Sequence, residues 1–275
     1  MPGSHRPRRR HDGTYRIGIC KKRQTAFIGF TVAGDPDKET SVRIAKALID
    51  GGTDILEFGV PFSDPVADGP TIQRADDRAL AAGTTPDTIF AIVREVRAYS
   101  QVPIVFLTYY NTIYRRGIDK FYREAHEAGV DGILVADMPV EESEEILAVA
   151  KKYGIDPIFL VTQTTSAERM DTIVRHARGY LYLVAVLGVT GARKEVAPEA
   201  LALLHRVRPH TDLPLAIGFG ISTPAHAKTC RDAGADGVIV GSAIVSIVEK
   251  NLGNPASMEK SLRKYVAEMK KAAGP

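Results

Sequence analysis

One acid stands inside an apolar run, Ile55-Leu56-Glu57-Phe58, and further acids follow it in VPFSDPVADGP. A carboxyl among apolar neighbours is costly to ionise. It is either a hydrogen-bonded structural acid or a general acid/base whose pKa is raised by its setting. Asp68 lies eleven residues beyond Glu57, far enough for the chain to turn back on itself, and Pro61, Pro65 and Pro70 stiffen the path. Two acids at one substrate can divide the work, one shuttling a proton while the other stays ionised and stabilises positive charge. Asp64, in the same stretch, reads equally well as a turn cap through its side chain.

A second chemistry-bearing pair lies near the end of the chain. GFGIS (Gly218–Ser222) and GSAIV (Gly241–Val245) each follow an apolar run. Glycines there let backbone N–H groups approach an anion, and Ser242 adds a hydroxyl, so the pair reads as a phosphate site. Between them and the acids, LGVTGARKE carries Thr190 and Arg193 on a glycine-containing segment that could close over a substrate. No apolar run carries a lysine, which leaves a Schiff-base mechanism without a nucleophile. His126, His176, His205, His210 and His226 fall on helical stretches without metal-ligand spacing, and Cys20 and Cys230 are isolated, so no metal is expected. What remains is metal-free acid–base chemistry on a phosphorylated substrate.

The elements that must position these groups alternate between two patterns. Nearly continuous apolar runs, as in strands buried on both faces, occur at Ala26–Val32, Ile55–Gly59, Pro103–Tyr109, Gly132–Ala136, Pro157–Val161, Tyr180–Val186, Pro214–Phe219 and Gly237–Gly241. Amphipathic stretches separate them, such as DKETSVRIAKALIDGG, and the recurring phrase AGxDG (Ala128–Gly132 and Ala233–Gly237) marks a helix stop feeding a strand. Eight such units close most economically into a (β/α)₈ TIM barrel, an α/β fold whose active site lies at the C-terminal ends of its strands. A doubly wound open sheet is the alternative, but AGDPDKET stands where its glycine fingerprint would follow the first strand. The widest gap, between the second and third strands, is expected to hold a long loop. One domain spanning residues 14–275 is expected, ending in an extra amphipathic helix from about Ser257, after an N-terminal extension of residues 1–13 read as disordered.

Composition fits that frame. The 275 residues are 44% apolar and 25% charged, an ordinary globular mix long enough to bury a large core. No run is long enough to span a bilayer and no signal peptide is recognisable, so a cytoplasmic enzyme without membrane contact is expected. The net charge is +3, with a basic cluster in MPGSHRPRRRHDG. No aromatic residue interleaves with those arginines, so no nucleic-acid partner is expected.

LEFGVPFSDPVADGPTIQ is similar to the signature of tryptophan synthase α subunits, and the likeness extends from about Ala26 to about Glu249 through AGDPD, TYYN, VADMPVEE, GVTG, GFGIS and GSAIV. The resemblance implies a TIM barrel that cleaves indole-3-glycerol phosphate to indole and glyceraldehyde 3-phosphate by a retro-aldol step. It implies Glu57 as the proton shuttle and Asp68 as the group holding the indole N–H. It places Tyr182 and Thr190 at the substrate and Phe30, Ile72, Tyr109, Phe219 and Ile239 around the indole. It assigns the phosphate to Gly191, Gly220, Gly241 and Ser242. It further implies a β-subunit partner holding pyridoxal phosphate, none being expected in this chain, in an αββα assembly with Pro61, Asp64 and Pro65 facing that partner. One departure stands out. Many bacterial members read S-R-S before G-V-T-G, where this chain has Ala185, Val186 and Leu187.

Overall fold

Eight parallel strands, hydrogen-bonded in sequence order, close into a barrel in the computed structural model, which describes residues 25–184, 196–218 and 220–274. The strands are β1 (Ala26–Val32), β2 (Ile55–Gly59), β3 (Ile104–Thr108), β4 (Gly132–Val135), β5 (Asp156–Thr162), β6 (Leu181–Val184), β7 (Leu215–Gly218) and β8 (Gly237–Val240). Around them lie α1 (Lys38–Asp50), α2 (Pro70–Ala81), α3 (Pro86–Tyr99), α4 (Tyr110–Arg116), α5 (Ile118–Ala128) and α6 (Glu144–Tyr153). The ring is completed by α7 (Ala167–His176), α8 (Pro198–Val207), α9 (Pro224–Asp232), α10 (Ser242–Lys250) and α11 (Pro255–Ala273). The TIM barrel expected from the sequence is therefore the fold. The N-terminal extension, Cys20, Thr190, Gly191, Arg193 and Phe219 lie outside the described residues.

Period-two alternation divides each strand between two cores. Inward side chains such as Ile28, Ile55, Val105, Leu134, Ile158, Tyr180, Tyr182, Ala216 and Ile239 fill the barrel, while outward ones pack under the helices. Glu57 has the parity of Ile55, so its carboxyl shares the barrel interior, and its register neighbours are Phe30 on β1 and Val105 on β3.

The gap between β2 and β3 corrects the expectation of a long loop. It holds α2 and α3, each with proline at its first position, after a loop of only residues 60–69. The terminal helix likewise starts earlier than expected, at Pro255, because the Asn254 side chain accepts the Ser257 N–H and caps it.

The AGxDG phrase does more than stop a helix. Gly129 takes the left-handed conformation that ends α5. The aspartate two residues on then accepts a backbone N–H from the preceding strand: Asp131 from Ile104 at 2.8 Å, Asp236 from Leu215 at 2.9 Å, and the related Asp54 from Phe27 at 2.7 Å. Each also pairs with a cation, Arg97, Arg208 and Lys270 respectively. These aspartates lace the N-terminal floor of the barrel, which leaves the opposite mouth for chemistry.

Candidate active site

Burial sets the character of Glu57. It is fully buried on β2, and desolvation, with a smaller contribution from the nearby negative charge of Asp68, pushes its pKa up to about 8. The Tyr180 hydroxyl donates to Oε1 at a long 3.4 Å, while Oε2 has no hydrogen-bond partner. A carboxyl that titrates near neutrality, with one oxygen uncommitted, can both give and take a proton.

Asp68 returns over the mouth as the sequence expects. The Tyr109 hydroxyl donates to its Oδ2 at 2.7 Å and accepts the Ala67 N–H at 3.1 Å. Gln73 on α2 donates to the Asp68 carbonyl at 2.8 Å, and the Phe62 ring stacks on Tyr109 with centroids 5.0 Å apart. Tyr109 is thus a strut for this loop as well as a buried aromatic surface. Burial raises the Asp68 pKa, and the Tyr109 hydrogen bond works against that rise.

Three of the apolar residues expected around an indole divide between two separate buried clusters. Phe30 and Ile72 share one buried cluster with Val32 and Val245, while Ile239 and Tyr182 share the barrel interior. The Tyr182 ring lies directly against the Gly218 backbone, where a Cβ would fall 2.3 Å from its Cε1. Gly218→Ala is therefore expected to force Tyr182 aside and to cost about 1–3 kcal/mol, read as a lower urea midpoint and Tm. An unchanged midpoint would show that the ring has room to move.

Two strands from β2 around the barrel, Gly241 caps α10 and Ser242 is its first residue. Gly241 is glycine because a Cβ would come 3.1 Å from the Phe30 ring. Gly220 has φ of 80°, and among the described residues other than its chain neighbours no atom lies within 4 Å of where a Cβ would be. The Tyr265 hydroxyl of α11 donates to the Ser222 carbonyl at 2.9 Å, and the Ser222 N–H donates to His226 Nδ1 at 3.3 Å. Exposed N–H groups at a helix start beside an open glycine form an anion-binding arrangement.

A buried ion pair ties the two halves of this site. Asp35, fully buried after β1, accepts two bonds from Arg78 of α2, at 2.7 and 2.8 Å. Glu249 of α10 binds Arg74 at 2.6 and 2.9 Å and reaches Arg78 at 3.4 Å. The α2 helix that follows the Asp68 loop is thereby joined to α10, which starts at Gly241 and Ser242.

The residues expected to face a partner divide. Pro61 is buried, Pro65 is half-buried and Asp64 is exposed, with the Ser63 hydroxyl donating to it at 2.6 Å. Val66, which the sequence reasoning missed, is the most exposed large apolar side chain among the described residues, at 86%. Two further omissions matter more. Tyr180, alternate to Tyr182 on the same inward face, could have been found from that spacing; Asp76, a buried acid on α2, gave no signal in the sequence.

Residues 18–274 match the family model described as tryptophan synthase alpha chain, a wider span than the motifs alone suggested. The chain is 87% identical over 255 residues to the tryptophan synthase alpha chain of Methanoregula boonei, covering 93% of this chain and 96% of that one. It is 50% identical over 249 residues to the protein of the same name from Methanothermobacter thermautotrophicus, covering 90% and 92%. Among solved structures, a chain of the tryptophan synthase a2b2 complex of Pyrococcus furiosus superposes with a TM-score of 0.84 at 41% identity, covering 90% of this chain and 98% of that one. Mycobacterium tuberculosis tryptophan synthase gives a TM-score of 0.87 at 34% identity, covering 95% and 99%. The chain therefore belongs to the tryptophan synthase alpha chain family.

Proposed function

We propose that this chain is a carbon–carbon lyase that cleaves indole-3-glycerol phosphate, with Glu57 and Asp68 as its catalytic pair. The observation that carries the reading is Glu57: a fully buried carboxyl with one uncommitted oxygen, facing the interior of a barrel whose mouth holds a second acid.

The chemistry follows from those positions. Glu57 in its acid form gives its proton to C3 of the indole. Positive charge develops on the ring nitrogen, and the Asp68 carboxylate accepts the N–H and stabilises that charge. The Glu57 carboxylate then takes the proton of the glycerol hydroxyl. The carbon–carbon bond breaks, its electron pair returns to the indole ring, and the hydroxyl carbon becomes the aldehyde of glyceraldehyde 3-phosphate. Glu57 ends protonated, as it began, but with the hydroxyl's proton; its first proton stays on C3 of the indole. Gly220, Gly241 and Ser242, with Gly191, hold the phosphate. Phe30, Ile72, Tyr109, Phe219 and Ile239 enclose the ring, while Tyr182 and Thr190 contact the glycerol chain.

Indole leaves to a β subunit that carries pyridoxal phosphate, in an αββα assembly. The Pyrococcus furiosus neighbour belongs to an a2b2 complex with mutual activation, which supports that partner. Asp64, Pro65 and the exposed Val66 form the contact, with Pro61 supporting them from beneath.

The test is indole release by the purified chain, with and without a β subunit, with phosphoribosyl substrates run alongside. Release from indole-3-glycerol phosphate in both arms, faster with the partner, is expected. Release in neither arm would leave only a binding module, and turnover of a phosphoribosyl substrate instead would move the chain to another phosphate-binding barrel reaction. Asp68→Asn is expected to lower kcat about 10²-fold or more, because the neutral amide loses the charge that stabilises the cation. A variant turning over at the wild-type rate would remove Asp68 from the mechanism.

A further inference from the structure

Of the histidines on helical stretches, His126, His176, His205 and His210 are exposed, whereas His226 is buried. A buried polar ring is held by hydrogen bonds, and their direction shows what it serves. His226 Nδ1 accepts the Ser222 N–H at 3.3 Å, which places the ring proton on Nε2. The His226 N–H donates to Thr223 Oγ1 at 3.2 Å, and Thr223 thereby caps α9. In a capping box the third helical side chain returns to the N–H of the capping residue itself. Here it reaches one residue further back, into the turn after β7. Thr223 already starts the helix, so the bond to Ser222 serves that turn.

Ser222 is gripped a second time. The Tyr265 hydroxyl, from the terminal helix α11, donates to its carbonyl at 2.9 Å. The two bonds fall on different peptides: the N–H belongs to the link with Ile221, the carbonyl to the link with Thr223. The Ile221 side chain is itself anchored in the hydrophobic core. Gly220, next in line, takes a φ of 80°. Its pose is therefore set by a segment held at three points.

We propose that His226 and Tyr265 are positioning residues for the substrate phosphate: they lock both peptides of Ser222 and so fix the orientation in which the Gly220 backbone meets the anion. They act through Ser222 rather than on the ligand. The inference rests on the reading of Gly220 as part of the phosphate site, and it gives the extra helix α11 a task at the barrel mouth.

The test is the Kd of the purified chain for sn-glycerol 3-phosphate, glycerol and indole, by titration calorimetry. Glycerol 3-phosphate carries a phosphate on a three-carbon chain without the ring, and indole is the ring alone. His226→Leu is expected to weaken glycerol 3-phosphate about tenfold and Tyr265→Phe about threefold, each by loss of one hydrogen bond. Indole affinity is expected to change less than about twofold in both, since the ring pocket makes no use of that bond. His226→Asn brings an amide oxygen near the place of Nδ1 and is expected to bind glycerol 3-phosphate within about twofold of wild type. Equal weakening of both ligands would mean general damage to the barrel and overturns the inference, as does wild-type affinity for glycerol 3-phosphate in His226→Leu and Tyr265→Phe. If His226→Leu does not fold, Tyr265→Phe, which keeps its ring, decides. Gly220→Ala separates the two ideas, because a methyl at that φ strains the turn and is expected to weaken glycerol 3-phosphate at least about tenfold. Unchanged affinity there, or a wild type that prefers glycerol 3-phosphate no more than glycerol, removes the phosphate reading of the turn. A weakened Gly220→Ala with wild-type affinity in His226→Leu and Tyr265→Phe overturns only the roles of His226 and Tyr265.

Discussion

Glu57→Gln is expected to abolish measurable indole release and, at the same time, to make the protein more stable. The loss follows from chemistry: an amide neither gives a proton to carbon nor takes one from a hydroxyl, and general acid–base groups contribute about 10²–10⁴-fold each. Glu57 serves both half-steps, so the upper end applies. Glu57→Asp withdraws the carboxyl by one methylene from its place beside Tyr180 and is expected to keep little activity. The gain in stability follows from burial. The folded-state pKa of about 8 lies above the ordinary value of 4.5, so the stability linked to this group is fully present below pH 4.5 and is lost as pH rises through about 8. At pH 7 wild type has already given up about 3 kcal/mol on this account. Glutamine, neutral at every pH, does not incur that loss. Urea denaturation should therefore give a variant-minus-wild-type difference that grows between about pH 5 and pH 8. Indole release within tenfold of wild type would exclude Glu57 as the shuttle, and a stability difference flat with pH would mean that Glu57 is not held as the neutral acid.

The largest loss of stability is expected at Arg78. Asp35 is fully buried, and Arg78 supplies both of its strong hydrogen bonds. Removing one partner of a buried pair leaves an uncompensated charge, which costs about 3–5 kcal/mol. Burial already raises the Asp35 pKa even with Arg78 in place, and loss of the guanidinium lets it rise further. The raised pKa places the stability of the protonated form at low pH, so the deficit of Arg78→Leu should be small near about pH 4 and grow toward pH 8. Asp35→Leu combined with Arg78→Leu should recover much of the loss, because no charge is then left buried. A deficit independent of pH, with no recovery in the double variant, would show that the arginine acts through packing alone.

Much of this molecule is legible in its residues. The first two strands run as the apolar pattern expects, Ala26–Val32 and Ile55–Gly59, because strands buried on both faces leave long β-branched and aromatic runs. The third is shorter than Pro103–Tyr109: Pro103 has no N–H for the ladder, and Tyr109 turns to cap α4. The pair α2 and α3 was hidden because its first residues follow a proline-rich, acidic stretch that reads as loop, and only the packing of Ile72, Ala75 and Ala79 shows a helix face. The spacing of Tyr180 from Tyr182 gives its inward face, but nothing local shows that its hydroxyl meets a carboxyl 123 positions away.

By itself the sequence determined the barrel and singled out Glu57 and Asp68 as the acids proposed to carry the chemistry. Hydrophobic periodicity is a local property, and a charge inside an apolar run announces its own cost. Only the tertiary structure decided what those acids experience. Asp76 stands next to the exposed Asp77 on an amphipathic helix, yet only 3% of it is exposed in the folded chain. Asp35 and Arg78, 43 residues apart, meet because β1 and α2 end at the same rim. Desolvation and pairing depend on which distant segments lie within a few ångström, and closing the barrel settles that.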